Sequence, residues 1–414
     1  MRSLTARQKR AVAGATEPLV GLAFRGYRAL SRRDPAPGLR ALQEPEAAAA
    51  VRKILAVRLD AIGDLLLSEP ALEILRTRFP NARIDLIANP SSAALLRGCP
   101  NIDRLITYRA PWHSAWRGEQ PSWHREVGRF WGLTRVLRRE FYDLGFELRG
   151  DVRDIVFMAA AGPRALAGTG FRGGSRLLDW DTPFPQNAHQ VEISVAIASA
   201  GGPPNAARAP RVYLDESHRS RAAQALGDVS RSHLIGLHLG AGFPSKMLPL
   251  ETFATAIRAL QVRNQAAAFI VVGSPDETPL VEGLQRLAKD TRIIDLTGAL
   301  SLLETAAVLE QCSLFIGNDS APMHLAAAVG TPIVTFFGPS EPSKFHPYGV
   351  PYRLLEVDLE CRPCDYVHCV WPDDLRYQCM TRQSPDAIIQ AVQELLAGKL
   401  TRTTSINAEQ NSVT

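Results

Sequence analysis

The sequence predicts an α/β protein of two successive domains, each a parallel sheet built from βαβ units. Three observations predict it. Short apolar runs rich in branched residues alternate with stretches of helical periodicity. The alternation breaks at Gly201-Gly-Pro-Pro-Asn-Ala-Ala-Arg-Ala-Pro210, which reads as a linker, and then restarts. The length, 414 residues, suits two domains better than one.

In the first half, Lys53–Leu59 reads as a strand, followed by the turn Asp60-Ala-Ile-Gly-Asp64 and a helical stretch from Leu65 to Arg78. Pro70 lies inside that stretch and fits the first turn of the main helix, where its missing N–H does no harm. Further strands are expected at 83–88, 104–108 and 143–148, with helices at 91–97 and 124–139. Trp112, Trp116 and Trp123 interrupt this rhythm in a polar loop. Two readings fit them: a loop packed on its own domain, and a lid whose rings offer apolar faces to sugar or lipid. In the second half, strands are expected at 234–239, 269–273, 292–296, 314–317 and 332–337. Helices are expected at 249–263, 276–289, 301–311 and 322–329, with a last one from Pro385 to Ala397.

The balance of 46% hydrophobic and 21% charged residues is that of an ordinary globular protein. The net charge of +5 suits an anionic substrate or membrane face as well as a chance surplus of arginine. Lys and Arg outnumber Asp and Glu in residues 1–53, where no apolar run is long enough to span a bilayer. A basic amphipathic helix lying on an anionic membrane and a weakly ordered tail both fit this segment. No GxGxxG follows the first strand and no GxxxxGK[ST] occurs, which argues against a dinucleotide oxidoreductase and a P-loop ATPase. Cys361, Cys364, Cys369 and Cys379 cluster near His368; reduced thiols and a structural zinc site are both open readings.

Three turns have the residues for chemistry, and each follows a strand, where open α/β sheets place their ligands. In Arg58-Leu-Asp-Ala-Ile-Gly-Asp64, Gly63 permits close backbone approach or an unusual dihedral, and Asp64 lies at a helix start, where it can act as an N-cap. Leu239-Gly-Ala-Gly-Phe-Pro-Ser-Lys246 offers the backbone N–H groups of Gly240 and Gly242 and an ammonium, a combination that can cradle a diphosphate. Gly317-Asn-Asp-Ser-Ala-Pro-Met-His324 runs into a small-residue helix whose N-terminus favours phosphate.

With these passages, the sequence resembles glycosyltransferase family 9, the ADP-heptose:lipopolysaccharide heptosyltransferases, over about residues 52–395. The resemblance rests on Ile54–Leu72, on Tyr142-Asp-Leu-Gly-Phe-Glu-Leu-Arg-Gly150, on Lys246-Met-Leu-Pro249, and on Leu296–Leu302 with Gly317–Ala328 and Phe337-Gly-Pro339. The cysteine cluster resembles one found in part of the family. The resemblance implies the GT-B fold, two Rossmann-like domains facing across a cleft. Residues 1–50 are then a basic extension, 51–210 the acceptor domain and 211–384 the nucleotide-sugar domain. Residues 385–400 form a helix crossing back to the first domain, and 401–414 a disordered tail.

It also implies an inverting transfer of heptose, or a related sugar, from ADP-heptose to a lipopolysaccharide core or similar glycolipid. No metal and no cofactor beyond the nucleotide sugar is needed. The enzyme would be cytoplasmic, with peripheral contact to the inner membrane and no nucleic-acid partner. Asp64 matches the catalytic base and Lys246 the residue that neutralises the departing diphosphate. Gly240, Gly242, Asp319, Ser320, Ala321 and His324 fall in the donor site. Arg58, Gly63, Arg149 and Arg153 fall on the acceptor side, where the arginines would hold anionic groups or merely form ion pairs. Ala321 stands where the family usually has glycine, and Leu248 where an aromatic is common. Another nucleotide sugar on the same scaffold, and a catalytically silent sugar-nucleotide-binding protein, remain open alternatives.

Overall fold

The computed structural model describes residues 36–114, 123–183, 187–202, 205–229, 234–265, 267–398 and 406–407. The basic stretch 1–35, Trp116 and nearly all of the tail 401–414 lie outside the described residues. The chain divides into two units, Met1–Arg208 and Ala209–Thr414.

In the first unit, β1 (Lys53–Arg58), β2 (Arg83–Ala88), β3 (Arg104–Thr107), β4 (Leu144–Glu147), β5 (Ala165–Gly168) and β6 (Trp180–Asp181) form one sheet in the order β3-β2-β1-β4-β5-β6. Every pairing is parallel, with Ile54 opposite both Ile84 and Leu144. Ile54, Leu55, Ala56 and Val57 are all buried, the mark of a parallel strand covered on both faces. The strand order reverses between β1 and β4, so the connections there leave toward opposite faces and open a crevice at the carboxyl ends.

The helical stretch expected over Leu65–Arg78 is two helices, Ile62–Leu67 and Glu69–Arg78. Pro70 has no N–H to give the carbonyl four residues back, so the ladder breaks there, and Pro70 lies in the first turn of the second helix, as expected. Part of the 1–50 stretch packs on the first unit. Helix Ala36–Gln43 buries Ala41 and Leu42 within the first unit. The Arg78 guanidinium donates to the carbonyls of Leu42 and Ala200, both at 2.9 Å, and to that of Ala198, which ties this helix to the end of Gln190–Ala198. Gly201 is required at this joint: its φ is +74°, and a Cβ there would lie 2.6 Å from the Leu42 carbonyl oxygen.

In the second unit, β7 (Leu234–His238), β8 (Ala268–Val271), β9 (Ile293–Asp295), β10 (Leu314–Asn318), β11 (Ile333–Phe337) and β12 (Tyr352–Glu356) are ordered β12-β11-β10-β7-β8-β9, again all parallel. Two tail residues, β13 (Ile406–Asn407), pair outside β12. Counted from its own first strand, this sheet repeats the order of the first one, and its reversal lies between β7 and β10. The helix Pro385–Leu396 buries Ile388, Ile389, Ala391, Val392 and Leu395 in the core of the second unit, beside helix Leu250–Arg263 and strands β10 to β12.

Glu69 is completely buried and is met by Arg208, whose two terminal nitrogens each lie 2.8 Å from a carboxylate oxygen. Removing the guanidinium would leave a buried charge uncompensated. Arg208→Ala is therefore expected to destabilise the first unit by about 3–5 kcal/mol in urea unfolding. A change below about 1 kcal/mol, the range of exposed pairs, would contradict this account of Glu69.

Candidate active site

At the β1/β4 reversal a cluster of charge is built around Arg58. This side chain ends β1 and is 1% exposed. Its Nε donates to Asp60 Oδ1 at 2.7 Å, its Nη1 to the Leu148 carbonyl at 2.7 Å, and its Nη2 to Asp64 Oδ1 at 3.3 Å. Asp60 also takes Arg149 Nε at 3.2 Å. Asp151 caps helix Val152–Ala161 and receives Arg153 through two bonds, at 2.8 and 2.6 Å. Burial alone would raise the Asp151 carboxyl, but Arg153 and Arg149 outweigh it and hold it well below the ordinary value.

The three expected acceptor-side arginines all pair with Asp60 or Asp151, as the ion-pair alternative expected, and the buried Arg58 also meets Asp64. Among the carboxylates of this cluster, Asp64 is the open one: its side chain is 27% exposed, against 6% for Asp60 and 7% for Asp151. It does not cap its helix, since Ala61 occupies that position. Gly63 is buried inside the same helix and is absent from the positive-φ glycines, so it supplies no unusual dihedral.

Two members of this cluster were not anticipated. Glu147, at the end of β4, is completely buried and accepts the N–H groups of Arg149 at 3.1 Å and Gly150 at 2.5 Å. Burial and the nearby Asp154 push its carboxyl well above the ordinary value. Arg172, in the loop after β5, interacts electrostatically with Arg149, Asp151, Asp64 and Arg58. The residue is exposed overall, yet its guanidinium is crowded by protein and held below its ordinary pKa by burial and by Arg149. Among the described residues no hydrogen bond or ion pair engages it.

At the β7/β10 reversal the second group assembles. Asn318 ends β10, fully buried, and its amide nitrogen donates to the carbonyls of Leu239 and Gly240 at 2.9 and 3.0 Å. Its oxygen accepts the Leu248 N–H at 3.1 Å. One side chain thus fixes both ends of the loop that carries Lys246. Lys246 Nζ lies 2.6 Å from Asp319 Oδ2, which also accepts the Ser340 hydroxyl at 2.5 Å. Burial alone would raise Asp319; the charge and hydrogen bond of Lys246, with Ser340, outweigh it and hold the carboxyl below its ordinary value.

His324 is buried in helix Ala321–Ala328, its ring pushed down to about 4, and its Nδ1 has no hydrogen-bond partner. Ser320 is the N-cap of that helix and Ala321 its first residue. The Ser320 hydroxyl meets His238 Nδ1 at 2.9 Å, and His238 Nε2 lies 3.2 Å from Glu277 Oε1. Gly240 has a reason other than phosphate approach: a Cβ there would lie 1.6 Å from Glu277 Oε1. Gly242 faces open space.

Residues 130–372, more than half of the chain, match the family model for glycosyltransferase family 9 (heptosyltransferase). The chain belongs to this family.

This glycosyltransferase is 28% identical over 328 residues to lipopolysaccharide heptosyltransferase 2 of Salmonella typhimurium, covering 74% of its own length and 88% of the relative's. It is 27% identical over 369 residues to lipooligosaccharide heptosyltransferase 2 of Haemophilus ducreyi, covering 83% and 99%. Among solved structures it is similar to a family 9 glycosyl transferase from Veillonella parvula, with a TM-score of 0.71, 21% identity, and coverage of 84% and 98%. It is also similar to E. coli ADP-heptose lps heptosyltransferase II, with a TM-score of 0.65, 22% identity, and coverage of 84% and 99%. The fold is GT-B, two Rossmann-like α/β domains.

Cys361, Cys364, Cys369 and Cys379 lie in one segment of the second unit. All four of the cluster are free thiols, and among the described residues no group of three or more His, Cys, Asp or Glu is arranged to hold a metal. Burial pushes the Cys379 thiol up to about 11 and raises Cys364 as well. Their segment braces the donor-side loops: the N–H groups of Cys364 and Asp365 donate to the Pro339 carbonyl, and the Ser245 hydroxyl donates to that of Tyr366. Trp112 is packed on its own unit, its indole N–H 2.8 Å from Asp154 Oδ1 and its ring against Tyr108 and Phe130. Trp116 lies outside the described residues, as does the Trp123 side chain.

The Lys246–Asp319 pair has a pH signature. Because the folded Asp319 value is depressed, its contribution is present above the unfolded carboxyl value of about 4 and is lost as pH falls through the folded one. Lys246→Met leaves burial to dominate and raises that value. The variant is expected to lose about 3–5 kcal/mol at pH 7 and less at pH 5, where Asp319 can take a proton. An equal deficit at both pH values in urea unfolding would contradict the pairing.

Proposed function

We propose that this glycosyltransferase moves heptose from ADP-heptose to a hydroxyl of a lipopolysaccharide inner-core acceptor, with inversion and without a metal. The observation that carries the reading is the placement of the open carboxylate Asp64 and the paired ammonium Lys246 at the strand-order reversals of their respective sheets. The similarity to lipopolysaccharide heptosyltransferases supports heptose and lipopolysaccharide as the substrate classes.

In this reading the first unit handles the acceptor. Asp64 accepts the proton of the attacking hydroxyl as its oxygen bonds to the anomeric carbon. The Arg58 bond aims Asp64. Arg172 attracts a phosphate or carboxylate of the acceptor. The second unit handles the donor. As the bond from the anomeric carbon to phosphate oxygen breaks, charge builds on the leaving diphosphate. The Lys246 ammonium keeps N–H groups beyond the one given to Asp319, and the first turn of Ala321–Ala328 adds amides and dipole. Fixed donors of this kind lower a barrier by about 3–4 kcal/mol each in comparable sites. No helix among the described residues is long and apolar enough to cross a membrane. The basic residues of 1–53 support peripheral attachment to the cytoplasmic face of an anionic inner membrane.

Asp64→Asn is expected to lower kcat by about 10²–10⁴-fold while the affinity for ADP-heptose stays unchanged, measured by ADP release and by calorimetry. A variant within about tenfold of wild type places the base elsewhere. Arg172→Ala is expected to raise the acceptor KM by about tenfold with kcat retained, the loss of one charge-assisted contact. An unchanged KM removes Arg172 from the acceptor site.

A further inference from the structure

A serine at a helix N-cap ordinarily turns its oxygen toward the amides of the helix's own first turn. Ser320 has the extended backbone of an N-cap, φ −156° and ψ 171°, yet its side chain caps nothing. The second helical residue is Pro322, which has no N–H, so Met323 carries the amide that a capping hydroxyl would take. The Ser320 oxygen instead lies 2.9 Å from His238 Nδ1 and 3.1 Å from the Asn318 carbonyl.

The far side of the imidazole explains this orientation. His238 Nε2 lies 3.2 and 3.3 Å from the two Glu277 oxygens. A carboxylate there favours a ring hydrogen on Nε2, while the single Ser320 O–H is shared between His238 Nδ1 and the Asn318 carbonyl, which can only accept. The arrangement is rigid. His238 is buried at the end of β7, and Glu277 also accepts the Ser274 N–H at 2.8 Å. The Glu277 carboxylate occupies the space that side chains at Gly240 and Gly273 would fill, with a Cβ at the latter only 2.2 Å away.

We propose that Glu277 and His238 hold the Ser320 hydroxyl away from the amides of its own helix, and so keep the first turn of Ala321–Ala328 open to the diphosphate of the donor. The inference rests on the donor site proposed above, and His238 acts in it as a positioning residue. An arriving phosphate then meets amides that no internal cap contests, beside the Lys246 ammonium. The orphaned, buried Nδ1 of His324 belongs to the same helix and interacts with Asp319 and Lys246.

Calorimetric titration of the full chain with ADP tests this. His238→Leu frees the hydroxyl to swing onto its helix, and ADP affinity is expected to fall about five- to tenfold, the equivalent of one N-cap. Ser320→Ala removes the competing oxygen, and its own ADP affinity is the reference for the double variant. The double variant His238→Leu/Ser320→Ala is expected to recover to within about threefold. A double variant as weak as His238→Leu overturns the proposal, whether a damaged fold or a direct role of His238 is the cause. So does a His238→Leu that binds like wild type, which leaves the donor-site reading standing. A wild type that binds no ADP overturns both.

Discussion

The structure depends on one topological constraint, the reversal of strand order in each all-parallel sheet. Strands covered on both faces leave no place for polar chemistry along their length. What remains is the row of carboxyl ends, and at a reversal the two neighbouring connections diverge and leave a gap there. In the first unit, Asp64 and Arg58 come from the end of β1 and Glu147 and Arg149 from the end of β4. In the second, His238 and the Lys246 loop follow β7, while Asn318, Asp319 and Ser320 close β10. Segments distant in sequence meet because the topology leaves them the same gap.

The two groups use charge in different ways. Around Asp64 a buried guanidinium organises two carboxylates and one carbonyl, and only the outermost carboxylate reaches solvent. Around Lys246 a buried carboxylate holds an ammonium in place. Such buried pairs add little net stability, since desolvation offsets most of their attraction; what they supply is a fixed position. Asn318 has the same role without charge, joining the Gly240 turn to the Leu248 backbone.

Much of the fold was legible in the sequence because long branched runs mark buried parallel strands. β2 runs over 83–88 as expected, and β1 and β7 end within a residue of expectation. No strand was expected at Ala165–Gly168, where small residues carry no such signal, nor helices at 152–161 or 216–226. The sequence also drew attention to Asp64, Lys246, Asp319 and Ser320, which stand beside turn glycines after strands. It did not reveal the partners that give them their state. Glu277 lies 39 positions from His238, in a segment that reads as an ordinary capping box. Arg172 looks like any loop arginine. The commitment of Arg58, Arg149 and Arg153 to internal carboxylates is equally invisible without the packing that brings Asp60 and Asp151 to them.

The central claim is that the strand-order reversal of the second sheet holds the nucleotide diphosphate. Amide hydrogen exchange of the full chain with and without ADP tests it most directly. The account predicts slowed exchange in the 238–248 loop and in the first turn after Ser320, with the carboxyl-end loops of the other strands of that sheet little changed. Protection confined to other segments, or none at saturating ADP, would contradict it.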